Sequence, residues 1–318
     1  MRKMATPNPE LSVILIAGDC RARAERVLEA LAAQTFEGTI EAVVVDVAGE
    51  GAAALRLPDG LRIVPLELPR DTTWGEARTA GLHRAQAPVV AFIEDHCYPS
   101  AGWAAALVEA HQGPWAAVGY AFTNANPVNY LARSAMLLDY GRWAHPVRGG
   151  AATLLPYNNV SYKREALLSV DDLERSLDSD FHALGVLARS GLPMAIEPRA
   201  LAAHENFVRL TPLLKSHYHY CRLLAARRVG LGRWSRGKRA FYVLGTPIVG
   251  PAIYATRLLG SLRGRRILAR PMLAALPVLA AKAGAAALGE TLGYAFGPGT
   301  SAQWMKHYEV HAERNPSG

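Results

Sequence analysis

Between residues 11 and 95 the chain alternates short apolar runs with amphipathic ones, and this alternation constrains its fold more than any other feature. LSVILIA (11–17), IEAVVVDV (40–47), LRIVPLEL (61–68) and APVVAFIED (87–95) read as buried strands. Arg21–Gln34 reads as an amphipathic helix, with Val27, Leu28 and Leu31 on one face. Thr72–Ala85 reads as a second helix that Thr72 or Thr73 can cap. Apolar strands separated by helices predict a parallel sheet with right-handed crossovers. Such sheets bind ligands beyond the carboxyl ends of their strands. Asp19, Asp46, Glu94 and Asp95 all fall at or just after such ends, so four acids gather where a ligand belongs.

The next stretch, 100–205, is less regular. Trp103–His111 predicts a helix, 115–122 a strand and Pro127–Trp143 a helix. Asp180–Arg189 predicts another helix, closed by Gly191. LPMAIEP and ALAAH predict two short strands. Trp103 and Trp115 are read as core.

Charge divides the chain sharply. No Asp or Glu occurs between Glu205 and Glu290, and the 84 residues between them hold 15 Lys and Arg. Of 35 basic residues 20 remain elsewhere, against 27 acidic ones, a net of −7. A mildly acidic body, 1–210, is therefore expected to carry a basic helical tail, 211–318, that seeks a polyanion. The tail's long uncharged apolar runs argue for anionic lipid and against nucleic acid. Residues 240–255 are apolar but interrupted by Pro247 and Pro251; residues 271–289 are apolar apart from Lys282. Both are marginal for the roughly 20 residues of a spanning helix. Five arginines lie between them, from Arg257 to Arg270, which favours a cytoplasmic linker. Three widely spaced cysteines, Cys20, Cys97 and Cys221, fit a reducing compartment, and the polar start fits no secretion leader. The expectation is a protein at the cytoplasmic face of the plasma membrane. Its tail helices would be interfacial or re-entrant, with Tyr218, Tyr220 and Trp234 at the headgroups. His217 and His219, two apart on a helix, cannot share a face and are not read as a metal pair.

Several segments together resemble family 2 glycosyltransferases of the GT-A fold. They are LSVILIAGDCRARAERVLEALAAQTF, EAVVVDVAG, WGEARTAGLHRAQAPVVAFIEDHCYPSAGW, NNVSYKREAL and DSDFHALGVLARSGLPMAIEPRALAAH. The resemblance covers roughly 11–205. It implies a Rossmann-like α/β fold, with a mostly parallel central sheet flanked by helices. It also implies transfer of a sugar from a UDP-, GDP- or TDP-sugar. The family's Asp-x-Asp falls on Glu94-Asp95-His96, with His in the third position.

A departing diphosphate needs charge neutralisation, by a divalent metal or by Arg and Lys. The resemblance therefore implies Mn2+ or Mg2+ on Glu94 and His96, with Asp95 as alternative and His204 as a further ligand. It places Ala17, Asp19, Asp46, Arg78, Asn158 and Asn159 at the donor. Asp46 would touch uracil or ribose, Arg78 base or phosphate, and the two Asn the sugar hydroxyls; turn and cap roles stand beside these. An inverting transfer needs a base for the acceptor hydroxyl. Ser179-Asp180 occupies the family's Glu-Asp position, so Asp180 is the candidate base and Asp178 the next, although Asp180 could instead cap its helix. The implied acceptor is a lipid-linked glycan or membrane lipid, in envelope or exopolysaccharide synthesis. A catalytically silent, membrane-anchored scaffold is the alternative that His96 and Ser179 keep open.

Overall fold

A computed structural model describes residues 8–51, 54–178, 182–261 and 265–311. The chain forms two compact units. One comprises Met1–Ala125 and Trp143–His204, the other Asn126–Arg142 and Glu205–Gly318. The division is not linear in sequence, because Asn126–Arg142 clusters with the C-terminal helices.

The first unit is built on one sheet. Strands β1 (Leu11–Ala17), β2 (Ile40–Asp46), β3 (Arg62–Glu67) and β4 (Val89–Ile93) pair in parallel, in the order β3-β2-β1-β4. Every residue of β2 and β4 is buried, which is why these runs read as continuous apolar stretches rather than alternating ones. Helices α1 (Arg21–Ala32) and α2 (Trp74–Arg84) make the crossovers. Thr73 caps α2 in a reciprocal box with Glu76, satisfying two end donors. Gly81 lets α2 approach the sheet, since a Cβ there would lie 2.7 Å from Ile14 Cγ2 and 3.2 Å from Val45 Cγ2.

Beyond β4 the parallel pattern stops. A short β5 (Cys97–Pro99), helix α3 (Trp103–His111) and β6 (Ala117–Asn124) follow in the chain. Later come β7 (Gly150–Ala151), β8 (Val160–Lys163) and β9 (Met194–His204). β8 is antiparallel to both β4 and β6, while β9 is parallel to β6 and antiparallel to β5 and β7. The sheet is therefore mixed, with its parallel part confined to the first half. The two short strands expected near 194–204 are one strand; its register against β6 shifts between Gly119 and Ala121, which breaks the apolar alternation in sequence. Trp103 is fully buried against Tyr120, with ring centroids 5.2 Å apart.

The second unit is helical. It contains α4 (Tyr130–Tyr140), α8 (Leu210–Leu231), α9 (Arg236–Ser261), α10 (Ala269–Phe296) and α11 (Ser301–Lys306), the numbers α5 (Arg164–Leu168), α6 (Leu173–Asp178) and α7 (His182–Arg189) belonging to the first unit. Its core joins Leu137, Leu138, Phe207, Leu213, Met272 and Leu279, with Tyr254 and Leu258 packed alongside. Pro247 and Pro251 do not interrupt α9, contrary to the sequence expectation. A proline inside a helix removes one donor and crowds the preceding turn. Here tertiary packing holds the helix through both rings: Thr246 is buried, and a Cβ on Gly250 would stand 3.7 Å from that of Ala287.

Candidate active site at the carboxyl edge of the sheet

The site forms where two antiparallel pairings bring strand ends together. Phe92 of β4 pairs with Val160 of β8, so the residues that follow β4 meet those that precede β8. Cys97 of β5 pairs with His204 at the end of β9, which sets His96 beside His204. The imidazoles of His96 and His204 meet edge to face, with centroids 4.8 Å apart. Glu94 Oε2 lies 3.3 Å from Nε2 of His204 and 3.8 Å from Nε2 of His96. One donor atom from each of Glu94, His96 and His204 falls within 4.8 Å of the others, the only such group of three among the described residues.

Each member of this group is braced. Asn158 Nδ2 donates to Glu94 Oε1 at 2.7 Å and Asn159 Nδ2 to Oε2 at 2.5 Å. Asn159 also accepts from the Glu94 backbone N–H at 3.0 Å. Arg78 donates to Asn158 Oδ1 at 2.6 Å and to the Leu177 carbonyl at 2.8 Å. The amides expected on a sugar and the guanidinium expected on a base or phosphate are thus engaged in holding Glu94. Nδ1 of His96 lies 2.8 Å from Asp95 Oδ1, and Asp95 Oδ2 lies 2.9 Å from an Arg23 nitrogen. A carboxylate only accepts, so Nδ1 carries a proton and Nε2 is the nitrogen turned toward Glu94. Asp95 therefore orients His96, a carboxylate–histidine arrangement typical of metal sites.

Two nitrogens and a carboxylate oxygen suit a divalent transition ion. Bonds of about 2.1 Å separate neighbouring donors by roughly 3 Å and opposite ones by about 4 Å. The three donor atoms lie within 4.8 Å of one another, against the roughly 4 Å that opposite ligands span. Glu94, His96 and His204 are the residues that fit such an ion.

The remaining acids at the rim are met by arginines that sequence reasoning passed over. Arg21 grips Asp46 with two hydrogen bonds, 3.0 and 2.9 Å, and Asp46 also accepts from the Ala48 N–H at 2.8 Å. The Asp46 side chain is fully buried beneath its pairing with Arg21. Burial alone would lower the Arg21 pKa, but the hydrogen bond and charge of Asp46 outweigh it and raise the pKa. Arg70 pairs with Asp19, whose hydrogen bond raises the Arg70 pKa. RARAER, the opening of α1, held the signal for the Arg21–Asp46 and Arg23–Asp95 pairs, while Arg70 comes from the segment before α2.

Ala17 ends β1 buried, its carbonyl accepting from Val47 N–H at 3.0 Å. Asp178 ends α6 and accepts weakly, at 3.4 Å, from Gly75 N–H at the start of α2. Ser179, Asp180 and Phe181 lie outside the described residues. His217 sits against Tyr254 and Cys221, while His219 bonds Ser301 and stacks on Trp304, so the two histidines serve different contacts.

Residues 12–168 match the model of glycosyl transferase family 2, a span that takes in β1 to β8 and Glu94, Asp95 and His96 but ends before β9 and His204. This chain carries a glycosyl transferase family 2 domain. Its fold is similar to that of the mannosyltransferase PcManGT from Pyrobaculum calidifontis, solved with GDP-Man and Mn2+. The two share 19% identity over 90% of this chain and 88% of that one, with a TM-score of 0.53. TarS 1–349 from S. aureus, solved with UDP, is also similar, at 15% identity over 88% of this chain and 90% of that one, with a TM-score of 0.45. No curated protein matches the chain significantly.

Proposed function

We propose that the first unit transfers a sugar from a nucleoside-diphosphate sugar with inversion, using a divalent ion, Mn2+ or Mg2+, held by Glu94, His96 and His204. The observation that carries this is the convergence of those three side chains within 4.8 Å at the carboxyl edge of the sheet. A divalent ion bound there supplies the positive charge that stabilises a departing diphosphate. Arg21 and Arg70, both at the same edge, are each neutralised by an acid, Asp46 and Asp19, and would meet the donor's phosphates by sharing their N–H groups with those carboxylates. Mn2+ bound to a neighbour of the same fold supports this reading.

Asp180 is proposed to take the proton of the acceptor hydroxyl, with Asp178 the next candidate. The proposed acceptor is a lipid-linked glycan or membrane lipid, met at the cytoplasmic face of the membrane. The acid-free, basic stretch from 206 to 289 supports a partner that is anionic and apolar at once.

The test is a thermal-shift and calorimetric screen of UDP, GDP and TDP with and without Mn2+. One nucleotide should raise the melting temperature, more with Mn2+ than without, and Glu94→Ala should remove the metal-dependent part. A protein that binds none of these nucleotides under any condition overturns the donor assignment.

A further inference from the structure

Helix α10 is the one helix among the described residues long and apolar enough to cross a bilayer. Its packing tells against that. Half of its most apolar window is buried inside the helical unit. Lys282, at its middle, is 1% exposed and ion-paired with Asp139 of α4. A Cβ on Gly289 would stand 2.3 Å from the Tyr218 carbonyl, and one on Gly293 2.4 Å from that of Arg222. The glycines thus seat α10 directly on α8. A bilayer enclosing α10 would also have to take in the charged Arg222 and Arg228 of α8, which hydrocarbon does not solvate.

Helix α10 still exposes Leu273, Leu276, Leu288 and Phe296 on its outer side, and helix α9 exposes more large apolar side chains than that. One face packs inward through Thr246, Gly250, Tyr254 and Leu258. The other presents Phe241 (73% exposed), Leu244 (73%), Ile248 (80%), Val249 (49%), Ile253 (42%) and Leu259 (43%). From Phe241 to Leu259 this face runs roughly 27 Å, at 1.5 Å per residue. No charge interrupts it between Ala240 and Thr256. Exposed Arg236 and Lys238 flank it at one end, Arg257 and Arg270 at the other. An exposed apolar strip of this length marks an interaction surface. With no acid between Glu205 and Glu290, self-pairing would set like charges together, whereas an anionic headgroup layer complements them.

We infer that the exposed face of α9 docks in the interfacial plane of an anionic lipid bilayer, while α10 remains a core helix of its own unit. This rests on the membrane-associated reading above and names the element and the mode: the protein lies on one leaflet and does not cross.

The experiment is flotation of the full chain with vesicles of phosphatidylglycerol and phosphatidylcholine, against phosphatidylcholine alone. Wild type should float with the anionic vesicles, come off in high salt and be extracted by alkaline carbonate. Phe241→Glu with Ile248→Glu should weaken flotation at least about tenfold. The melting-temperature shift with nucleotide and Mn2+ should be unchanged. That shift reports the donor site alone, so failure of the donor reading and failure of this one are separable. Should the Glu pair fail to fold by circular dichroism, Leu244→Asn with Ile248→Asn replaces it, with the same expectation. Four results overturn the inference: wild type left behind by anionic vesicles, a folded variant that floats as well as wild type, resistance to carbonate, or an α9 face that the variant shows to be buried in a dimer of this chain.

Discussion

Nδ1 of His96 faces Oδ1 of its own neighbour Asp95 at 2.8 Å, and this contact decides which ring nitrogen looks into the site. With the proton held on Nδ1, Nε2 is left as a ligand atom toward Glu94. Asp95→Asn keeps the shape but lets the amide pair with either ring tautomer. Mn2+ affinity measured by calorimetry should fall about 10- to 100-fold, and the melting temperature of the metal-free protein should fall as well, because largely buried Arg23 loses its carboxylate partner. Unchanged affinity would show that Asp95 does not orient the ring.

The brace behind Glu94 makes a second prediction. Asn158 and Asn159 hold its two carboxylate oxygens, and Arg78 holds Asn158. Asn159→Ala removes a donor from a fully buried position and also leaves the Glu94 backbone N–H without that partner. It should cost about 1–3 kcal/mol of stability and weaken Mn2+ binding. Asn158→Ala, half-buried, should weaken Mn2+ binding with a smaller stability loss. Comparing unfolding and titration curves of the two variants separates the effects.

Gly75 begins α2 where α6 crosses it. A Cβ there would fall 1.9 Å from the Glu174 carbonyl oxygen and 2.8 Å from Asp178 Cβ. Backbone cannot yield as a flexible side chain does, so Gly75→Ala should cost about 3 kcal/mol or more in urea unfolding. It should also displace Asp178 and lower transfer activity. A neutral result would mean that α6 can slide away from α2.

His111 gives the protein a pH limit. Burial pushes its pKa down to about 4, against a partly offsetting hydrogen bond with the Trp115 carbonyl. The unfolded chain takes up this proton near pH 6.5 and the native state does not, so stability is intact above pH 6.5 and declines as pH falls toward 4. His111→Gln, which cannot protonate, should flatten that part of the curve of melting temperature against pH. A slope unchanged in the variant would assign the acid sensitivity to other groups.

Lys282 and Asp139 form a pair in which the lysine is buried. Removing only the acid, as in Asp139→Ala, strands a buried ammonium and should destabilise by about 3–5 kcal/mol. Lys282→Met in the same background should recover most of that loss. Denaturant midpoints of the single and double variants measure it; no recovery would mean that Asp139 acts through other contacts.

The sequence by itself determined the parallel half of the sheet, since strands buried on both faces must be continuously apolar and their crossovers amphipathic. It also determined that acids cluster at the strand ends and that charge separates body from tail. It could not settle what those acids touch. Asp46 and Asp95 are gripped by Arg21 and Arg23, and Glu94 by amides 64 and 65 residues away in the chain. The amides on Glu94 are set by the antiparallel register between β4 and β8, and the arginines by the packing of α1 beside the strand ends, long-range relations that leave no local periodicity to read. The same holds for the tail. Hydropathy marks α10 as its most apolar helix, yet packing against α4 and α8 buries half of its most apolar window, and leaves α9, with two prolines, more exposed. Composition counts apolar residues; only the tertiary structure decides which of them are already covered.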